Sequence, residues 1–112
     1  MLEYYISRAE IFNAEGKIEQ ALQEAKKALP LCINYPKEKE ISLRIFIAKC
    51  LSNLGMIEQS NKEYRSLIDE NIYLPPIILG LLHNSLLLGN DQKVKTNVNL
   101  MKLFIGTERG DE

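Results

Sequence analysis

EGKIEQAL at residues 15–22 and LGMIEQSN at residues 54–61 decide how this chain is read. The two stretches share Gly-x-Ile-Glu-Gln: Gly16, Ile18, Glu19 and Gln20 in the first, Gly55, Ile57, Glu58 and Gln59 in the second, 39 residues later. Glycine accepts the left-handed backbone that closes a helix, and the residues after it begin the next one. The shared stretch is therefore a helix–turn–helix joint used twice. A third stop follows at Gly89, 34 residues beyond Gly55.

Working outward, apolar residues recur at helical spacing almost everywhere. Leu2, Tyr5, Ile6, Ala9 and Phe12 lead into Gly16. Ile18, Ala21, Leu22, Ala25, Ala28 and Leu29 form the next stripe, opposite a face of Glu19, Gln23, Glu24, Lys26 and Lys27 that reads as solvated. Pro30 cannot supply the backbone donor a helix needs, so this helix ends or kinks near Leu29. A third helix runs from about Pro36 to Leu54, with Ile41, Ile45, Ala48 and Leu51 inward. A fourth carries Ile57, Tyr64, Leu67 and Ile68 and stops near Asn71. Pro75 and Pro76 suit the first turn of a fifth, where a missing N–H costs nothing. A sixth carries Val94, Val98, Met101 and Ile105. Strand signals are nearly absent. Six helices in three pairs, each turning at a glycine, predict an all-α array in which every pair stacks on the last. The domain spans 1–106, and the polar tail 107–112 is expected to be disordered.

Composition narrows the function. The chain has 112 residues, 46% hydrophobic and 26% charged, with a net charge of −1. One domain fits that length. Acids and bases are interspersed, so the basic face of a nucleic-acid binder is missing. The apolar stretch 72–89 holds no Lys, Arg, Asp or Glu, yet after Pro76 it is shorter than the roughly 20 residues a membrane span needs. It reads as a buried helix. No secretory leader appears at the N-terminus, and a soluble cytoplasmic protein is expected. Cys32 and Cys50 form no Cys-x-x-Cys pair, and one histidine cannot complete a zinc set with them. They read as small buried thiols, with a disulfide or a reactive thiol as the alternative. Neither a phosphate-binding loop nor a catalytic constellation emerges, so no enzyme, cofactor or metal is expected.

The pattern resembles the tetratricopeptide repeat family, whose helix–turn–helix unit repeats about every 34 residues. In the first pair Tyr5 takes the aromatic position, Ala9 the small one at the helix crossing, Phe12 the next aromatic, and Ala21, Ala25 and Ala28 follow. In the second pair Ala48, Leu51, Ser60, Tyr64 and Leu67 stand at these places. In the third, Leu82, Ser85, Val94, Val98 and Met101 match poorly. The first interval exceeds the family's length by about five residues, around LCINYPKEKE. The resemblance implies a right-handed superhelix of three antiparallel pairs that binds a protein or peptide on its concave face.

In such arrays the first helix of each pair lines that face. Carried over, the groove residues are Glu3, Ile6, Glu10 and Asn13, then Ser42, Ile45, Phe46, Lys49 and Asn53, then Leu79, His83 and Leu86. Co-chaperones of this family grip an acidic carboxylate with basic residues here. Glu3 and Glu10 would repel such a ligand. Ile45 reads equally as core, whereas Phe46 has the better claim to exposure. His83, among leucines, reads first as a partly buried structural histidine and second as a groove contact.

The fifth helix is apolar nearly all round and must be covered on most sides. Leu100, Leu103 and Phe104 widen the apolar arc of the sixth and mark an end-on interface for a second copy, forming a homodimer, or for a partner chain. The expected function is a non-enzymatic protein–protein interaction module, a scaffold or adaptor. The alternatives are a peptide-sensing domain of a larger bacterial regulator and a small secretion-type chaperone shielding an apolar client segment.

Overall fold

A computed structural model describes residues 1–89. Those residues form five α-helices: α1 (Leu2–Ala14), α2 (Ile18–Ala28), α3 (Lys37–Asn53), α4 (Ile57–Asp69) and α5 (Pro75–Leu88). There is no strand among the described residues. The sixth helix, its residues Leu100, Leu103 and Phe104, and the tail 107–112 lie outside them. The chain divides into two compact units, Met1–Glu63 and the residues from Tyr64 onward.

The two glycine joints are one structure made twice. Gly16 (φ 80°) and Gly55 (φ 83°) both adopt the left-handed conformation. After α1, the N–H of Lys17 donates to Phe12 O at 2.8 Å and that of Gly16 to Asn13 O at 3.0 Å. After α3, Met56 donates to Leu51 O at 2.9 Å and Gly55 to Ser52 O at 3.0 Å. This pair of bonds satisfies carbonyls that the end of a helix otherwise leaves open. The next helix begins alike as well: Ala21 donates to Lys17 O and Ser60 to Met56 O, both at 3.0 Å. α4 ends with the same bond, Ile72 N–H to Leu67 O at 3.0 Å, but with Asn71 (φ 65°) in the left-handed place.

Side chains fix the direction of each return. Arg8 donates from Nε to Glu24 Oε1 at 2.9 Å, a contact placed symmetrically about Gly16, so α1 and α2 run antiparallel. Ser60 Oγ donates to Ala48 O at 2.7 Å, symmetric about Leu54, so α3 and the start of α4 do the same. Ala9, Ala21, Ala25 and Ala28 are all fully or almost fully buried. Their small size lets the helices approach, and Leu2, Leu22, Leu43, Ile47, Cys50 and Leu51 fill the space around them. Each large aliphatic side chain contributes about 1.5–3 kcal/mol by leaving water.

Three places depart from the expected pattern. α2 stops at Ala28, but the chain continues as a 3₁₀ turn, Leu29–Asn34, rather than leaving the helix path. Pro30 breaks the α ladder, and the tighter helix tolerates it in its first turn. Cys32 tucks back beneath, its Sγ 3.8 Å from Ala28 O. Second, Glu24 is buried rather than solvated, because Arg8 and Lys27 both pair with it. Third, α3 is buried well beyond the stripe of Ile41, Ile45, Ala48 and Leu51. Leu43, Arg44, Ile47, Cys50 and Ser52 are buried too, as expected of a helix with α2 against one side and α4 against another.

In the second unit Tyr64 and Leu67 of α4 are buried with Ile77, Ile78 and Leu81 of α5. Pro75 and Pro76 start α5 and Gly89 (φ 66°) ends it. Leu79, Leu86, Leu87 and Leu88 remain exposed, so α5 is covered on one side only. No helix among the described residues is long and apolar enough to cross a membrane.

Candidate functional site

The first unit carries a groove between α1 and α3. A cavity of about 240 Å³ is lined by Ile6, Ala9 and Glu10 from α1 and by Lys39, Ser42, Leu43 and Phe46 from α3. The register of the two helices follows from their contacts. Lys39 Nζ donates to Glu3 Oε1 at 3.0 Å across a sequence separation of 36. The cavity gathers Ile6 and Glu10 of α1 with Ser42 and Phe46 of α3, residues that stand at that same offset in sequence. The helices therefore run parallel, and the offset puts Asn13 level with Lys49. Helical spacing places Ile6, Glu10 and Asn13 on one face of α1, and Ser42, Phe46, Lys49 and Asn53 on one face of α3.

The floor is apolar. Ala9 and Leu43 are buried, while Ile6 and Phe46 are half-buried and open to the cavity. The walls are polar, and most of their charges are already engaged. Glu3 pairs with Lys39, whose ammonium is held above its ordinary range by that hydrogen bond. Arg8 pairs with Glu24 and lies over the rings of Phe12, at 5.3 Å, and Tyr4, at 5.6 Å. Glu40 takes Lys37 at 2.9 Å and Arg44 at 3.2 Å, and these hold its carboxyl below the usual range. Glu38 stands in the first turn of α3, where the helix dipole favours an acid. Glu10 and Lys49 are both exposed, and neither has an ionic partner among the described residues.

Of the residues named from sequence, Ile6, Glu10, Ser42 and Phe46 converge on this cavity. Asn13, Lys49 and Asn53 are exposed and continue the same two faces toward the helix ends. Ile45 is buried and does not line the groove. Leu79 and His83 belong to the second unit, one helical turn apart and both exposed. His83 is thus a surface residue of α5, not the partly buried histidine its leucine neighbours suggested. The sequence reading missed Ala9, Leu43 and Lys39 as lining. Ala9 read as core, which it also is; Leu43 falls outside the stripe of Ile41, Ile45, Ala48 and Leu51; and Lys39 sits in the polar KEKE start of α3, with its ionic partner in α1.

A second cavity, of about 400 Å³, lies against α2 and the Gly55 turn, lined by Glu19, Leu22, Gln23, Lys26, Leu54 and Met56. Of these only Leu22 is buried, so the lining consists mainly of exposed side chains and encloses a ligand little.

Both cysteines are free and buried, and burial pushes the Cys50 thiol up to about 11. A thiol so protonated is a poor nucleophile. No cluster of His, Cys, Asp and Glu among the described residues could hold a metal ion. Comparison with protein-family models, curated proteins and solved structures returned no match.

Proposed function

We propose that the chain is a non-enzymatic protein–protein interaction module. In this reading it is a right-handed array of three antiparallel, tetratricopeptide-like helix pairs that accepts a peptide or partner helix on the face formed by α1 and α3. The observation that carries the reading is the groove itself. Four residues named from sequence, Ile6, Glu10, Ser42 and Phe46, line one cavity with an apolar floor. An amphipathic segment needs such a surface: a pocket for an apolar side chain, with polar groups at the edge to fix orientation. Asn13 and Asn53 add exposed amides that can bond a peptide backbone.

The test is selection of short random peptides on the immobilised protein, followed by affinity measurement on the double variant Phe46→Asp with Lys49→Glu. The expected result is a loss of more than about tenfold in affinity with unchanged helicity by circular dichroism. Binding that survives the double change would remove the groove from consideration.

A small chaperone that shields an apolar client is the second reading. It is favoured by Leu79, Leu86, Leu87 and Leu88, four exposed leucines on one short helix.

A further inference from the structure

We infer that the segment accepted by the α1–α3 groove is charged in two senses: an apolar anchor, a Lys or Arg beside it to meet Glu10, and an Asp or Glu one helical turn further on to meet Lys49. This rests on the groove reading and adds the chemistry of the occupant. The charge accounting carries it. On α1 and α3 the other ionic side chains are engaged within the fold: Glu3 with Lys39, Arg8 with Glu24, and Glu40 with Lys37 and Arg44. Glu38 is accommodated by the helix N-terminus. That leaves Glu10 on one wall and Lys49 on the other.

Their places set the order of charges. Glu10 lines the cavity beside Phe46. Lys49 lies one turn beyond Phe46, toward the C-terminal ends of both helices. A ligand whose apolar side chain enters between Ile6, Ala9, Leu43 and Phe46 therefore passes Glu10 first and Lys49 next. In water both charges are hydrated, and their lack of a partner costs nothing. A seated ligand displaces part of that hydration, and an unmatched or like charge then becomes a penalty. The rim thus selects the ligand and its direction, while the apolar floor supplies most of the affinity.

The experiment repeats the peptide selection on wild type and on Glu10→Lys, Glu10→Gln and Lys49→Glu. Both positions of change are exposed, and circular dichroism verifies that each variant folds. The wild type should enrich peptides with an apolar residue flanked by a basic residue, and an acidic one three or four places away. Glu10→Lys should turn the basic preference into an acidic one. Glu10→Gln should abolish it without replacement. Lys49→Glu should reverse the other position. Wild-type peptides should bind Glu10→Lys about tenfold more weakly, and the difference should shrink as salt is raised. Enriched peptides that carry no charge pattern, yet are lost on Phe46→Asp, would overturn the inference and leave the groove standing. A selection indifferent to Phe46→Asp, or one that yields no binder, would overturn both.

Discussion

Gly80 of α5 faces the ring of Tyr64 on α4 so closely that a β-carbon at position 80 would overlap the ring atoms. The pair sits symmetrically about Ile72, which makes this the crossing point of two antiparallel helices. Tyr64 is almost completely buried, and burial pushes its hydroxyl up to about 12. Gly80→Ala should therefore destabilise the second unit by about 1–3 kcal/mol or more, despite the better helix propensity of alanine. Tyr64→Leu in the same chain should recover part of that loss, because a shorter side chain makes room. Urea melts of both single variants and the double variant measure the coupling. Additive losses would mean the two residues do not constrain each other.

Gly55 offers the opposite case. A β-carbon there meets nothing within 4 Å, but the backbone holds φ at 83°. Gly55→Ala should cost about 1–2 kcal/mol for conformational reasons alone. Gly55→Asn should cost less, since asparagine tolerates that region and already occupies it at Asn71. Thermal denaturation of the two variants ranks them, and an equal loss would assign the cost to something other than the dihedral.

The Arg8–Glu24 contact makes stability depend on acid. Hydrogen bonds from Arg8 first, then Lys27, hold the Glu24 carboxyl below its ordinary value of 4.5. A depressed carboxylate contributes its full stabilisation above that ordinary value and loses it as pH falls through the lower, folded one. Glu24→Gln should therefore lower the melting temperature at neutral pH, with the gap to wild type closing in acid. A gap that does not change with pH would mean the pair acts through packing alone.

The buried thiols report unfolding. Cys32 and Cys50 are 4% and 1% exposed, and burial raises both thiols above their ordinary range. An aromatic disulfide reagent at mildly alkaline pH should label neither in the native protein and both in urea. Prompt labelling of Cys32 alone would show that the 3₁₀ turn opens independently of the helices around it.

How much of this was legible in the sequence depends on whether the cause was local. The glycine joints and the Pro75–Pro76 start could be read because each is set by the backbone preferences of a few neighbouring residues. Helical phase gave Phe46 a better claim to exposure than Ile45, and Phe46 is half-buried where Ile45 is buried. The burial of Glu24 could not be read that way, because the reason lies on another helix, in Arg8. The pairing of the exposed Lys39 with Glu3 could not be read either, since its partner also lies on another helix. The 3₁₀ turn was missed because Pro30 forbids the α ladder without saying what replaces it. His83 was misjudged because leucine neighbours along a helix do not tell which arc of that helix is covered.

The two glycine joints superimpose bond for bond at a spacing of 39 residues. A genetic exchange between them would therefore add or remove one whole helix pair and leave every cap intact. No new turn would have to be invented and no helix would be cut mid-length. A chain built on such joints can change its length by copying itself in blocks, and its reach toward a longer or shorter ligand becomes a matter of recombination rather than of point-by-point redesign.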